Sequence, residues 1–235
     1  SGSVRRRHPW IFAGSVATLK GRARSGDTVI VEDEHGVAMG RAAWSPASKI
    51  RARVWTFDPT EIIDHAFFKR RVAQAVARRA GWKALRGEQS EPAGERLIHG
   101  EADGLPGVVI DRFGDVAVIQ PNAAWAEAHL ADLTAALIAV TGVSTVVKNA
   151  TGRARGLEGL NEETLVLVGE VSAPIPVPMN GATYLADLMG GQKTGLFFDQ
   201  RPNHALAATL GQGGSVLDMF AHVGGFALAA LAKGA

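Results

Sequence analysis

Apolar and polar positions change their period several times along this 235-residue chain. Over the first 57 residues the pattern is that of strands: an apolar run from Thr28 to Val31, a His35-Gly36 turn, and a second run through GVAMGRAAW. In KIRARVWTF, Ile50, Ala52 and Val54 alternate with Arg51, Arg53 and Trp55, the two-residue period of a half-buried strand. Two or three short hairpins in so little chain predict a small β-barrel rather than a sandwich.

From Asp64 the period lengthens. DHAFFKRRVAQAVARRAGW opens with a capping acid, places Phe68, Val72, Ala75 and Val76 at helical spacing, and reaches Gly81 as a C-terminal stop. LRGEQSEPAGE, residues 85–95, is rich in Gly, Pro and Glu and reads as a boundary. Beyond it GVVIDRFGDVAVIQ is a hairpin turning at Phe113-Gly114-Asp115. Residues 122–140 form an amphipathic helix opened by Asn122 and followed by Gly142, and STVVKN and TLVLVGE are buried strands. PIPVP, residues 174–178, ends this α+β unit as an extended prolyl link. Asn180-Gly181 suits a tight hairpin turn, GGQKTGLFFDQR follows, and a helix runs from about Pro202 to Leu210. The last 21 residues, SVLDMFAHVGGFALAALAKGA, predict a strand from Val216 to Phe220, a glycine turn and a helix, the opening of a nucleotide-binding unit.

Composition adds three constraints. Cysteine is absent, which excludes disulfides and thiolate zinc sites and fits a cytoplasmic protein. Neither a membrane-spanning apolar run of ~18 residues nor the h-region of a signal peptide is visible. The net charge of +2 is unevenly spread: residues 1–86 hold 17 Lys and Arg against 7 Asp and Glu, and residues 87–235 hold 8 against 16. A basic module that meets a polyanion, joined to an acidic body, is one explanation; a solvated surface without a partner is the other.

The candidate chemistry lies in five places. Asp218 at the end of the final strand, before a turn with Gly224, lets a backbone approach a nucleotide-like ligand, but FAHVGGF lacks the three spaced glycines of a dinucleotide site. Upstream, Lys193, Phe197, Asp199, Gln200 and Arg201 set aromatic faces beside directional polar groups, suited to stacking and hydrogen bonding an adenosyl or amino-acid moiety; an ion-paired strand edge is the plainer reading. Arg5, Arg6 and Arg7 precede His8, Pro9 and Trp10, and either contact phosphate and stack on a base or form a charged terminus with Trp10 buried. Lys69, Arg70, Arg71, Arg78 and Arg79 decorate the first long helix, as an RNA track or as a solvated face. His99, Glu101 and Asp103 read as turn capping rather than as a metal site, so no metal is expected.

GGQKTGLFFDQRPN followed by VLDMFAHVGGFALAAL resembles the S-adenosylmethionine-dependent large-subunit ribosomal RNA cytosine-C5 methyltransferases that carry an N-terminal PUA domain. RHPWIF, residues 7–12, is similar to that family's opening strand, and RLIHGEADGLPGVVIDRFGD, residues 96–115, to its central signature. The family has Tyr and Thr where this chain has His222 and Val223, which removes the threonine hydroxyl from the turn. The resemblance implies a mixed α/β and β protein: a PUA-like β-barrel over residues 1–60, a basic linker helix and loop over 61–90, a central α+β domain over 91–178, and over 179–235 the start of a C-terminal Rossmann-like methyltransferase domain. It implies S-adenosyl-L-methionine as cofactor, held by Lys193, Phe197, Asp199, Gln200, Arg201, Asp218, Phe220, Ala221, His222 and Gly224, and ribosomal RNA as partner. Further strands, an Asp-Pro-Pro type motif and a nucleophilic cysteine would then lie beyond Ala235, leaving no catalytic residue in these 235 and the chain alone inactive. Methylation at pyrimidine C5 requires a nucleophile that adds to C6, for which a thiolate is usual. A non-catalytic PUA-type RNA-binding protein is the competing function, and a homodimer is an arrangement the sequence leaves open.

Overall fold

The structure, a computed structural model, describes residues 2–85, 93–171, 174–191 and 193–235. A short helix α1 (Gly2–Arg5) precedes strands β1 (Trp10–Phe12), β2 (Thr28–Glu32), β3 (Ala38–Trp44) and β4 (Ile50–Thr56). These form an antiparallel sheet in the order β1-β4-β3-β2. Among the described residues this sheet is open, not the expected closed barrel. β1 has only three residues and spends its pairing on β4, so no ladder joins it to β2. The alternation read in β4 is real, but the strand is not half-buried. Ala52 and Val54 pack within the N-terminal unit, whereas Arg53 and Trp55, 8% and 2% exposed, face the next unit.

The helix α2 (His65–Leu85) starts where the capping acid placed it, with the Phe67 N–H donating to Asp64 Oδ1 at 2.8 Å. Gly81 does not end it. A glycine stops a helix by taking a left-handed φ; Gly81 keeps a negative one, and the next turn is held by Lys83 Nζ on Glu95 Oε1 at 3.0 Å. Residues 86–92, most of the expected boundary, lie outside the described residues.

Five strands build the central sheet in sequence order: β5 (Gly94–His99), β6 (Val108–Phe113), β7 (Val116–Pro121), β8 (Thr145–Ala150) and β9 (Glu163–Val168). All pairings are antiparallel except β7 with β8, which are joined by a helical crossover. The crossover is not the single helix expected from Asn122. It breaks at His129 into α3 (Ala124–Ala128) and α4 (Leu130–Thr141), and the residue before α3 is Ala123, with no side-chain cap. The backbone leaves helical geometry at His129, at φ −109° and ψ 24°. On either side of it the Trp125 indole N–H donates to Pro106 O at 2.7 Å with its ring against Trp55 and Phe68, and α4 is buried through Leu133 and Leu137. A helical turn α5 (Arg153–Gly156) precedes β9.

β7 and β8 are buried at every position, as strands covered on both faces must be. One face, with Ile110, Ala117, Ile119 and Val146, packs on Phe67 and Phe68 of α2 and Leu133 and Leu137 of α4. Each such aromatic, fully buried, contributes about 2–3 kcal/mol. The other face, with Phe113, Val118 and Val147, is covered by β10 (Ile175–Met179) and β11 (Ala182–Ala186) through Val177 and Tyr184, and by Leu188 just after β11. The prolyl segment is therefore a strand: Pro176 and Pro178 sit in β10, which among the described residues pairs only with β11 and needs no amide donors on its outer edge. Asn180 and Gly181, at φ 50° and 81°, make the two-residue turn that joins them.

Two helices follow, α6 (Arg201–Leu210) and α7 (Gly225–Ala232). The strand expected from Val216 to Phe220 does not form. Among the described residues no strand lies beside it, and Leu217 and Phe220 are 84% and 99% exposed. A lone extended segment has no ladder to hold it. No helix of the described residues is long and apolar enough to cross a membrane.

Candidate functional site

The two C-terminal motifs, separated in sequence by α6, meet in space. The Phe197 and His222 rings touch edge to face with centroids 5.2 Å apart, and Lys193 Nζ lies 4.2 Å from the centre of the Phe197 ring. Asp218 Oδ2 accepts the Ala227 N–H at 3.1 Å, in the first turn of α7, so this acid caps the helix across the turn. Lys193, Phe220 and His222 all hold positive φ, at 53°, 61° and 51°. Non-glycine residues rarely adopt that conformation, and such strain collects at functional sites.

The remaining expected residues are placed less uniformly. Arg201 stacks on Phe198 at 5.3 Å and donates to Gly94 O at 2.7 Å, tying α6 to β5 rather than pointing to the turn. Gln200 is exposed and accepts from Asn203, and Asp199 is exposed beside it. Ala221 is exposed, and the Phe220 side chain projects into solvent, apart from the Phe197–His222 contact.

Gly224 is required for its conformation, a φ of 74° at the start of α7. Gly225 is required for a different reason: a Cβ there would lie 2.3 Å from His204 Cε1. His204, on the buried face of α6, packs its imidazole on Phe226 at 4.5 Å between centroids. Burial lowers its pKa, while the charges of Asp218 and Asp199 oppose that shift. His204 is not among the residues expected at the site; its one signal in the sequence is its place four residues before Ala208 on the inner stripe of α6.

A second omission is the support beneath the Lys193–Phe198 loop. Thr194 and Asp111 are fully buried, and the Thr194 hydroxyl donates to Asp111 Oδ2 at 2.5 Å. Arg96 donates to both oxygens of the same carboxylate, at 2.8 and 2.9 Å. Thr194 thus ties the loop to the central sheet through one carboxylate, which Arg96 of β5 holds in place.

At the other end, the basic residues divide. Arg79 donates to both oxygens of Asp103 at 2.6 Å and Arg78 to one at 2.6 Å, while Asp103 also receives the His99 N–H at 2.7 Å. Asp103 is therefore a cap and an ion-pair partner, and among the described residues no cluster of acids and histidines is arranged for a metal. Burial would raise its pKa, but the hydrogen bonds from Arg79, Arg78 and His99 outweigh it and the net shift is downward. Arg71 is turned inward as well, over the Phe67 ring at 4.8 Å with a bond to Trp55 O. Arg70 stays half-exposed beside Glu61, and Lys69 is exposed. Arg5 pairs with Glu34 at 2.7 Å, Arg6 is exposed, and Arg7 lies 5.8 Å from the Phe57 ring centre.

The N-terminal sheet is locked to the central unit by a buried ion pair, Arg53 with Glu158 at 2.8 Å, to which Ser45 adds a hydrogen bond at 2.8 Å. Residues 1–57 match the PUA-like domain family. The chain is 43% identical over 233 residues to the ribosomal RNA large subunit methyltransferase I of Klebsiella pneumoniae subsp. pneumoniae, covering 99% of this chain and 57% of that protein. The Salmonella typhi and Escherichia coli O157:H7 proteins of the same name are 42% and 40% identical, again over 99% of this chain and 57% and 58% of theirs. Among solved structures, a protein from Streptococcus mutans described as a candidate SAM-dependent methyltransferase superimposes with a TM-score of 0.80 at 19% identity, covering 100% of this chain and 58% of that one. SMU.776, solved with SAH, superimposes with a TM-score of 0.81 at 19% identity. The chain thus has the fold of somewhat more than half of each of these proteins, opening with a PUA-like module.

Proposed function

We propose that this chain supplies the RNA-binding module and the first part of the cofactor site of an S-adenosyl-L-methionine-dependent methyltransferase that acts on large-subunit ribosomal RNA, in the cytoplasm where that RNA is found. The observation that carries the reading is the 43% identity to a ribosomal RNA large subunit methyltransferase over 99% of this chain. That identity spans both C-terminal motifs, whose Phe197 and His222 rings meet at 5.2 Å. In this reading Phe197 and His222 flank the adenosyl group, Lys193 and Asp199 face the polar end of the cofactor, and the Asp218–α7 connection shapes the turn that the ribose or methionine approaches. Bound there, S-adenosylmethionine supplies an electrophilic methyl group.

Methyl acceptance at C5 of a cytosine is the finer proposal. It asks for a nucleophile at C6, and these 235 residues contain no cysteine to provide one. The non-catalytic RNA-binding alternative shares the N-terminal features but gives no reason for strained φ values at Lys193, Phe220 and His222. The test uses the protein expressed from its complete gene, with tritiated S-adenosylmethionine and ribosomal RNA from a strain lacking that gene. Label on a cytosine of large-subunit RNA is expected; RNA binding without transfer overturns the enzymatic reading.

A further inference from the structure

A cleft of ≈ 500 Å³ opens where β4 of the N-terminal sheet meets α2 and the turn at Gly100–Gly104. Its walls include Arg7, Trp55, Phe57 and Asp58 from one side and Arg71 and Glu101 from the other. Arg7 points to a ligand. It holds a φ of 57°, costly for a side chain of its size, and among the described residues no acid pairs with it; its guanidinium lies against the Phe57 ring at 5.8 Å. On the opposite wall Arg71 is held by Trp55 O and by Glu61 at 3.5 Å, which leaves Arg7 as the cation open to an anion.

The acids have the complementary role. Thr60 donates to Asp58 Oδ1 through both its hydroxyl, at 2.6 Å, and its N–H, at 2.8 Å, and these bonds lower the Asp58 pKa and keep it ionised. Glu101 Oε1 receives the Trp10 indole N–H at 2.6 Å, which fixes that carboxylate at the rim. A cleft with a cation, an aromatic face and fixed carboxylates is poorly suited to bare phosphates. It suits a nucleotide, which offers an anion, a flat base and hydroxyl donors together.

We propose that this cleft holds a single nucleotide of an RNA strand, with its phosphate on Arg7, its base against Phe57 and its 2′-hydroxyl donating to Asp58 or Glu101. The inference rests on the RNA reading above. Beyond the cleft Arg71 and Arg70 share Glu61, at 3.5 and 3.2 Å, and Lys69 is exposed, so the strand continues past this pair along α2. The carboxylates make the 2′-hydroxyl a discriminating group, favouring RNA over DNA at this position.

The experiment measures fluorescence anisotropy of the complete protein with a roughly 12-nucleotide single-stranded RNA, followed by photocrosslinking with 5-iodouridine in the same RNA. Arg7→Gly is the central variant: it removes the cation and relieves the positive φ, so the melting temperature should hold or rise while the RNA affinity falls about 5- to 10-fold. The crosslink should map to Phe57. The double variant Lys69→Ala/Arg70→Ala reports on the helix alone. If it weakens binding while Arg7→Gly stays within about twofold of wild type, or if the crosslink maps away from the cleft, the cleft proposal is overturned and the RNA reading stands. If the wild-type protein binds no RNA, the RNA reading itself falls.

Discussion

The His204 imidazole lies so close to Gly225 that a methyl group on Gly225 would sit 2.3 Å from His204 Cε1, and this contact seats α7 on α6. The Tyr184 hydroxyl adds a hydrogen bond to Gly225 O at 3.1 Å, which anchors the pair to β11. Gly225→Ala should therefore destabilise the helix pair by about 1–3 kcal/mol through overpacking. In a His204→Ala background the same change should be nearly neutral. A double-mutant cycle in denaturant measures the coupling; additive effects would show that the contact is not what excludes the Cβ.

Acidification should loosen the same pair. Burial lowers the His204 pKa below its ordinary value of 6.5, against the opposing charges of Asp218 and Asp199. The unfolded chain then binds the proton more readily, so the stabilisation is complete above about pH 6.5 and is lost as pH falls towards the lowered folded value. Hydrogen exchange in α6 and α7 between pH 7.5 and 5.5 tests this, with His204→Gln expected to flatten the dependence.

Asp103 should set an acid limit at lower pH. Its pKa is held below 3.8, burial being outweighed by Arg79, Arg78 and the His99 N–H. Its contribution is therefore present above about pH 4 and lost as pH falls through the folded value. Asp103→Asn should cost about 3 kcal/mol at neutral pH, because it leaves Arg79 without its bidentate partner, and should reduce the acid sensitivity. Urea titrations at pH 7 and pH 3.5 read both effects.

The loop that carries Lys193 and Phe197 should depend on a residue beneath it. Thr194→Val keeps the volume but removes the hydroxyl that donates to Asp111. A cost of about 1–2 kcal/mol is expected, concentrated in faster amide exchange over residues 193–198. S-adenosylmethionine affinity of the complete protein should fall in parallel; protection unchanged in the loop would show that Arg96 alone holds Asp111.

Lys69→Ala/Arg70→Ala should change stability by no more than about 0.5 kcal/mol. RNA affinity should weaken, and the slope of its logarithm against log salt should fall by about 1 to 2. Arg79→Ala should do the reverse, losing stability through Asp103 with little change in the salt slope. Equal effects of the two variants on the slope would place Arg79 on the RNA.

Much of the molecule was legible because local signals acted alone. Asp64 caps α2, Asn180-Gly181 makes the hairpin turn, and Phe113-Gly114-Asp115 joins β6 to β7, since each is decided within four residues. Of the expected cofactor positions, Lys193, Phe197 and His222 come together in space, whereas Arg201 ties α6 to β5 and Phe220 faces solvent. Gly81 and the strand at Val216–Phe220 misled for opposite reasons. Tertiary anchoring carried α2 past a residue that locally prefers to stop, and the absence of a neighbouring ladder left an apolar run without a strand.

By itself, the sequence determined the periods, the turns, the uneven charge and the two C-terminal motifs, because these depend on residue type and spacing along the chain. Only the tertiary structure decided which charges are available and which are spent. It put Arg79 on Asp103, Arg53 on Glu158 and Arg96 on Asp111, paired Arg70 and Arg71 with Glu61, left Lys69 to solvent, and set Arg7 at a cleft beside Phe57. A charge says nothing in sequence about its partner: these three pairs are 24, 105 and 15 residues apart, and desolvation on folding, not spacing, selects them.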